Sequence, residues 1–274
     1  MEPSTWRLIL TGPAHGDWNM AVDEAILESV GRRVVLPTLR LFSWQPPCLS
    51  IGYAQSFTDV DCTATIEHGW EIVRRPTGGR AILHIDELTY SVIAPLDEPL
   101  VKGSIIESYQ RISLALLGAL QKIGLTARAD KEYPSQVGDT KNAPVCFEVP
   151  SNYEITVSGK KLVGSAQARR YEGMLQHGSL PLFGDLTRIT QALKFPDENN
   201  RTIAAQRLLQ RASTVEMILG KIVPWETAAA AFENAFHDCL HLSLVACELT
   251  QTELQRADEL VKEKYGNPVW TQRV

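Results

Sequence analysis

The sequence predicts an α/β protein of the layered α+β kind, with a mixed, largely antiparallel sheet flanked by helices. Strand-like runs dominate the middle of the chain, and helix-like patterns stand at its start, middle and end. Strands and helices therefore do not alternate strictly, as they do in doubly wound parallel folds. The chain has 274 residues, of which 44% are hydrophobic, so it can bury a sizeable core without disulfide bonds.

The strands are predicted from alternating apolar and polar residues that are bounded by glycine, proline and other turn residues. Single strands are expected at residues 6–10, 38–44, 49–53, 71–75, 87–94, 126–129 and 173–182. A further pair of strands, at residues 153–158 and 162–169, forms a predicted hairpin that turns at Ser158-Gly159-Lys160. This hairpin is the main reason to expect antiparallel pairing.

The helices are predicted from apolar residues that recur every three or four positions, and from capping residues. We expect helices at residues 19–30, 59–68, 104–123, 185–193, 225–240 and 250–265. Capping boxes are expected at Ser104/Glu107, Ser213/Glu216 and Thr250/Glu253. Asp23 and Glu24 are expected in a solvated first turn of the helix at 19–30. We also expect a surface excursion at 196–211 and a mobile loop at 133–143.

Charge and cysteine usage restrict the class of protein. The net charge of −5 argues against a broad nucleic-acid surface. The sequence has no apolar run near the roughly 20 residues of a membrane helix, and its start does not resemble a signal peptide. The five cysteines are irregularly spaced and the histidines are scattered, so neither disulfides nor a zinc site are expected. We expect a cytoplasmic protein without a metal or cofactor.

Two residues near the hairpin are candidates for a nucleophile and its partner. Cys146 precedes the hairpin and Lys161 lies just past its turn, so a chain that doubles back could bring them together. An isolated cysteine is, however, more often a small buried hydrophobe. Because neighbours in a strand point to opposite faces, only one of Lys160 and Lys161 can face such a site. These residues alone leave a structural and a catalytic role open.

The segment RRPTGGRAILH, residues 74–84, contains a second candidate site. Its Gly78-Gly79 pair can turn sharply and expose backbone N–H groups, and the flanking arginines could bind phosphate or carboxylate. The spacing matches neither a P-loop nor a GxGxxG fingerprint, so neither nucleotide loop is predicted. His84 ends the segment, and a lone histidine is more often structural than functional.

Four segments follow one another in a characteristic order: RRPTGGRAILH, CFEVPSNYEI, SGKKLVGSAQ and GMLQHGSLPL. Together they closely resemble the lipoate/biotin protein ligase (BPL/LPL) family, and within it the LipM-type octanoyltransferases. The resemblance also includes the start WRLILTGPAHGDWNMAVDEAIL and the end LVKEKYGNPVW, so it covers nearly the whole chain. It implies a biotin/lipoate protein ligase catalytic domain at residues 1–248, with a C-terminal helix and tail at 249–274 packed on the same domain.

The resemblance also implies roles for individual residues. Cys146 matches the nucleophile that carries the acyl thioester, and Lys161 matches the lysine that ionises it and handles protons. The residues that match the acyl pocket are Arg75, Gly78, Gly79, His84, Gly164, Ser165, Gln167 and His177. Arg80 stands where the ATP-using ligases commonly have a third glycine, and this departure favours a transferase.

The activity that the resemblance implies is octanoyl transfer in lipoate biosynthesis. The donor would be octanoyl-acyl carrier protein, and the acceptor a lysine of the glycine cleavage H protein or another lipoyl domain. No ATP is needed, because the donor thioester is already activated. Candidates for the acyl-tunnel lining are Ile82, Leu162 and Val163, and the Gly78-Gly79 N–H groups could bind the carbonyl oxygen. Three alternatives stay open: an amidotransferase between lipoyl domains, an ATP-dependent lipoate–protein ligase, and a non-catalytic lipoyl-domain-binding protein.

Overall fold

The computed structural model describes residues 3–130 and 154–274 of the chain. Cys146 and the loop predicted at residues 133–143 lie outside the described residues. Within the described ranges the strands form an eight-stranded and a three-stranded sheet, with helices packed around them. The predicted α+β architecture is confirmed.

The large sheet is mixed and mostly antiparallel. The described strands are β1 (Ser4–Leu10), β2 (Thr38–Phe42), β3 (Cys48–Ile51), β4 (Glu71–Arg74), β5 (Ile82–His84), β6 (Glu87–Pro95), β7 (Arg128–Asp130), β8 (Glu154–Val157), β9 (Lys160–Arg170), β10 (Gly173–Pro181) and β11 (Leu242–Ala246). The large sheet has the order β11-β1-β2-β6-β10-β9-β8-β7. β11, β1 and β2 run parallel, and every later pair in that order is antiparallel. In the small sheet, β3 lies between β4, which is parallel to it, and β5, which is antiparallel.

The helices lie mainly at the start, middle and end of the chain, as the periodicity predicts. They are α1 (Gly16–Gly31), α2 (Cys62–Glu67), α3 (Ile105–Ile123), α4 (Glu198–Arg211), α5 (Val215–Leu219), α6 (Trp225–Leu240), α7 (Gln251–Leu260) and α8 (Pro268–Thr271). Short 3-10 segments cover Phe57–Asp59 and Leu186–Ala192, and a π turn at Val261–Tyr265 extends α7. No helix in the described part of the chain is long and apolar enough to cross a membrane.

Helices cover both faces of the large sheet. α3 and α6 pack on one face in a core that includes Leu8, and α1 and α7 pack on the other in a core that includes Ile9. Leu8 and Ile9 are neighbours in β1, and both are buried because successive side chains in a strand point to opposite faces. A third, smaller core fills the space between the small sheet, the Leu186–Ala192 segment and α4.

The predicted hairpin is formed by β8 and β9. Ser158 and Gly159 both have positive φ, 52° and 78°, as a tight two-residue hairpin turn requires. Lys160 and Lys161 follow the turn and separate as predicted: the Lys160 ammonium donates to the Leu209 carbonyl, whereas the Lys161 side chain is buried. The turn therefore decides which of the two lysines points inward.

The segment at residues 196–211 lies largely at the surface, as predicted, but most of it is the helix α4, which was not predicted. Asp197 caps the helix by accepting a hydrogen bond from the Asn200 N–H. The apolar contact surface is limited to a narrow stripe with Ala204 and Leu208 buried, and the many charged and amide residues around it hide the helical pattern.

Two of the three capping boxes are confirmed, at Ser104/Glu107 and Thr250/Glu253. The box predicted at Ser213/Glu216 is wrong. The cap of α5 is Thr214, whose hydroxyl accepts from the Met217 N–H, and the Glu216 carboxylate accepts from the Gly184 N–H instead. The Glu216 side chain therefore binds a segment that lies far away in the sequence and does not complete the capping box.

The solvated first turn predicted for Asp23 and Glu24 is also wrong, since both side chains are buried. α1 lies between the large sheet and the C-terminal segment, so opposite flanks of the helix are covered. Glu24 faces the C-terminal segment, where the Lys264 ammonium lies 2.6 Å from its carboxylate and the Tyr265 hydroxyl donates to it. The C-terminal segment also reaches β4, because the Arg74 guanidinium donates to the Thr271 carbonyl. The domain division at residue 248 stays a prediction.

Candidate active site

The glycine pair sits in a loop that Arg75 holds together. The buried Arg75 guanidinium donates to the carbonyls of Gly78 and Arg80, at 2.9 and 2.7 Å, and to the Ser50 carbonyl at 3.0 Å. Because a peptide unit is planar and trans, the Gly79 N–H points to the side opposite the Gly78 carbonyl, away from Arg75. Arg75 thus orders the loop, and the Gly79 N–H of that loop points away from the Arg75 guanidinium.

Close backbone packing supports the same loop from the other side. A Cβ added to Gly52 would lie 1.9 Å from the Gly79 carbonyl oxygen, so no larger residue fits at position 52 without moving the loop. The Tyr53 N–H donates to the Thr77 carbonyl at 2.8 Å, which fixes the loop to the end of β3.

His84 is bound on both ring nitrogens. Its Nδ1 lies 2.6 Å from a Glu87 carboxylate oxygen, and its Nε2 lies 2.7 Å from the Ser50 hydroxyl. A carboxylate oxygen accepts hydrogen bonds, so Nδ1 is the ring nitrogen that donates to Glu87, and Nε2 is paired with the Ser50 hydroxyl. The ring also stacks on Trp44, with centroids 4.0 Å apart and planes 11° apart. His84 therefore has a fixed orientation.

His177 connects the glycine loop to α1. Its Nε2 lies 2.6 Å from the Thr77 hydroxyl, and its Nδ1 lies 3.3 Å from Asp23 Oδ2. Burial lowers the pKa of His177 below its ordinary value, although the neighbouring Asp23 works in the opposite direction. The neutral ring can accept from Thr77 and donate to Asp23 at the same time.

Asp23 is the charged centre of this network. Burial alone would raise the pKa of its carboxyl, but the charge of Arg40 and the hydrogen bonds from His177 and Ser91 hold the pKa below its usual range. Arg40 Nη1 lies 2.7 Å from Asp23 Oδ1, and both side chains are fully buried. A chain of contacts thus runs from Arg40 through Asp23 and His177 to Thr77, beside the glycine pair.

Polar side chains on β9 and β10 form a second network. The Ser165 hydroxyl lies 2.7 Å from the Tyr90 hydroxyl, which also accepts from the Gln176 amide. Gln167 in turn donates to the Gln176 oxygen at 3.1 Å. Burial raises the pKa of Tyr90 to about 12, so this phenol stays neutral and serves as a hydrogen-bonding group.

The structure brings most of the predicted pocket residues together around one cavity. Its lining includes Arg75, Gly79, His84, Gly164, Ser165 and His177. Apolar walls come from Met20, Trp44 and Ile82, of which the sequence analysis identified only Ile82. Leu162 and Val163, the other candidates for the tunnel lining, belong to the main core.

A groove runs beside this cavity along β9. Of the residues predicted for the site, Gly78, Gly79, Lys161, Ser165 and Gln167 line it. Gly79 and Ser165 line both the cavity and the groove, so they mark the place where the two meet. All the described residues of the predicted site therefore belong to two adjoining spaces.

Lys161 is held by a residue that the sequence analysis missed. Its ammonium donates to the Glu154 carboxylate at 2.7 Å, and both side chains are buried. In the hairpin, Thr156 pairs with Lys161, and the register shifts between Ile155 and Thr156. Glu154 lies beyond this irregularity, so regular strand pairing gave no signal for its contact with Lys161. No cluster of metal-ligating side chains is found among the described residues.

The sequence as a whole matches one protein family. Residues 15–237 match the lipoyl protein ligase A/B catalytic domain. The chain therefore belongs to the lipoyl protein ligase A/B catalytic-domain family, as the ordered motifs imply.

Curated relatives place the chain more finely. It is 41% identical to the octanoyltransferase LipM of Symbiobacterium thermophilum over 278 residues, which covers 98% of this chain and 99% of that protein. It is 35% identical to the octanoyltransferase LipM of Bacillus subtilis over 276 residues, with the same coverage. The resemblance to the LipM-type octanoyltransferases is confirmed over the full length of these relatives.

Solved structures of the family share the fold. A bipartite lipoate protein ligase from Thermoplasma acidophilum has a TM-score of 0.80 and 26% identity, covering 98% of this chain and 96% of that one. A lipoate-protein ligase A bound with ATP has a TM-score of 0.76 and 26% identity, covering 99% of both chains. The predicted BPL/LPL-like fold is confirmed.

Proposed function

We propose that this protein is an acyltransferase that moves an octanoyl group from acyl carrier protein to a lysine of a lipoyl domain, such as that of the glycine cleavage H protein. Its full-length relatives are named octanoyltransferases. The structural observation that carries the proposal is the cavity that meets the groove at Gly79 and Ser165, with Lys161 in that groove.

The cavity would hold the octanoyl chain. Met20, Trp44 and Ile82 provide apolar walls, and each methylene moved from water to such a surface contributes about 0.8 kcal/mol. The histidines that border the cavity already have hydrogen-bond partners, so an apolar chain beside them leaves no ring nitrogen unpaired.

In the first half-reaction, the Cys146 thiolate attacks the thioester carbonyl of the donor. A new carbon–sulfur bond forms and the bond to the carrier sulfur breaks. The carrier leaves as a thiol after taking a proton from the Lys161 ammonium, which becomes a neutral amine. The exchange is nearly neutral in energy because one thioester replaces another. The Lys161 ammonium favours the thiolate form of Cys146, since a neighbouring cation lowers the pKa of a thiol.

In the second half-reaction, the neutral amine of the acceptor lysine attacks the enzyme thioester. The amide bond forms, Cys146 leaves as a thiolate, and Lys161 takes the proton that the amine loses. The Gly79 N–H, turned away from Arg75, stabilises the oxygen on which negative charge develops in both steps. Because this chemistry requires a reduced thiol, we also propose a cytoplasmic location.

The deciding experiment uses octanoyl-acyl carrier protein without ATP. Mass spectrometry should find an octanoyl increment on the peptide that contains Cys146, and transfer to a lipoyl domain should follow. Cys146→Ala should abolish both. The control is Cys247→Ala, which changes a free cysteine directly after β11 and should abolish neither.

The same experiment separates the alternatives. Transfer that requires ATP would support a lipoate–protein ligase, the activity named for the structurally similar proteins. Acylation of Cys146 by an octanoylated lipoyl domain, but not by acyl carrier protein, would support an amidotransferase. Normal transfer by Cys146→Ala would overturn the thioester mechanism.

A further inference from the structure

The outer part of the groove carries several arginines. Beyond the mouth of the cavity its lining includes Tyr53, Arg80, Arg169 and Arg170, and Arg273 of the C-terminal segment lies against Tyr53. The whole chain has a net charge of −5, so this concentration of positive charge is a local feature.

Arg169 has a structural task. Its guanidinium donates to the carbonyls of Val101 and Ser104, each at 3.1 Å, and to the Gln167 side chain at 3.1 Å. These bonds tie β9 to the start of α3. Arg169 is therefore unsuitable as a group that receives a partner.

Arg170 and Arg273 both lie against the ring of Tyr53, and Arg273 also donates to the Tyr53 carbonyl at 2.5 Å. The guanidinium carbons of Arg170 and Arg273 lie 4.5 and 3.8 Å from the Tyr53 ring centroid, and that of Arg273 lies 4.3 Å from the Trp270 centroid. A cation–π contact positions a guanidinium but leaves its positive charge in place. Two cations on one ring also repel each other, so a bound anion would relieve an unfavourable arrangement.

Other surface arginines differ from Arg170 and Arg273 because they form ion pairs with carboxylates. Arg33 pairs with Asp97 at 2.6 Å, and Arg256 pairs with Glu28 at 3.0 Å. Among residues 3–130 and 154–274, no carboxylate side chain forms an ion pair with Arg170 or Arg273. Hydrogen bonds from the two arginines also lower the pKa of Tyr53, as expected where positive potential is concentrated.

We propose that Arg170 and Arg273, seated on Tyr53, form the docking site for the anionic donor carrier. The inference rests on the proposed function and names the partner of this part of the groove. A donor carrier is acidic and presents its acyl group on a phosphate-bearing arm, so both its surface and its arm complement the arginine pair. The acceptor brings a lysine, and a lysine amine is disfavoured beside two guanidinium groups.

The test compares two donors in the first half-reaction, octanoyl-acyl carrier protein and the uncharged octanoyl-pantetheine. The variant is Arg170→Ser/Arg273→Ser. The matched control is Arg207→Ser/Lys221→Ser, which removes two positive charges from residues that do not line the groove. We expect the arginine variant to lose about 10-fold in kcat/KM with the carrier donor and to stay within about twofold of wild type with octanoyl-pantetheine. The control should resemble wild type with both donors.

Salt provides an independent readout. With the carrier donor, wild-type kcat/KM should fall as ionic strength rises, and the arginine variant should lose most of that dependence because the screened charges are gone. Equal losses with both donors, an unaffected reaction with the carrier, or a defect confined to transfer from preformed acyl-enzyme to the acceptor would each overturn the docking site. Wild-type protein that forms no acyl-enzyme from either donor would overturn the proposed function itself, and the docking site with it.

Discussion

Replacing Asp23 with asparagine removes one charge from a fully buried ion pair. Asp23 Oδ1 lies 2.7 Å from Arg40 Nη1, and neither side chain is exposed. Asparagine keeps the size and polarity of the side chain, but it leaves the Arg40 guanidinium without a carboxylate. It also weakens the partner that orients His177 beside the glycine loop.

The expected cost follows from the burial of the remaining charge. Removing one partner of a buried pair costs about 3–5 kcal/mol, because the other charge stays desolvated. Arg40 keeps hydrogen bonds to the backbone and side chain of Asn19, so we expect the lower end, about 3 kcal/mol. For a chain of this size, that loss lowers Tm by about 6–12 °C.

The assay is equilibrium unfolding in urea together with thermal melting. Asp97→Asn is the matched control, because Asp97 also pairs with an arginine at 2.6 Å but both side chains are largely exposed. We expect no measurable shift for the control. An Asp23→Asn midpoint that coincides with the Asp97→Asn midpoint would refute the assigned importance of the buried pair.

Three further predictions concern pH dependence, the nucleophile's partner and the cavity wall. Burial lowers the pKa of His177, so below about pH 6.5 the unfolded chain binds a proton that the folded chain excludes, and the stability of the fold declines. His177→Gln should flatten this part of a plot of unfolding midpoint against pH. A slope identical to that of wild type would contradict the prediction. Lys161→Ala should slow the acylation of Cys146 and raise its pH optimum, since the thiol loses a nearby cation; rapid-quench pH profiles that coincide with wild type would count against this role. Trp44→Ala should widen the cavity, so in a competition between decanoyl and octanoyl donors the preference should shift toward decanoyl. An unchanged preference would show that Trp44 does not limit the chain length.

Features with strong local signals were predictable from the sequence. The Ser104/Glu107 box and the turn at Ser158-Gly159 depend on residues within a few positions of one another, so the local sequence is enough to predict them. α4 was missed because only Ala204 and Leu208 reach the core, and a stripe that narrow is recognisable only once its packing partner is known. The helix cap is Thr214 rather than the predicted Ser213, and the Glu216 carboxylate, expected to complete the box, instead accepts from the distant Gly184 N–H.

The candidate site divides in the same way. The order of the motifs identified the family. Strand alternation allowed only one of Lys160 and Lys161 to face the site, and the resemblance selected Lys161, whose side chain is buried. The described residues that the resemblance assigned to the site all line the cavity or the groove. These inferences succeed because each depends on spacing within a segment or on the order of segments along the chain.

Only the tertiary structure decided which charges are buried and what neutralises them. Asp23 looked like a solvated residue of a first helical turn, yet its partners are Arg40 on a neighbouring strand and His177, which follows 154 residues later. The sequence placed Arg273 only in a C-terminal tail, whereas the structure places it on Tyr53 at the outer end of the groove. Desolvation and pairing depend on distances through space, and sequence patterns carry that information only where the chain is locally regular.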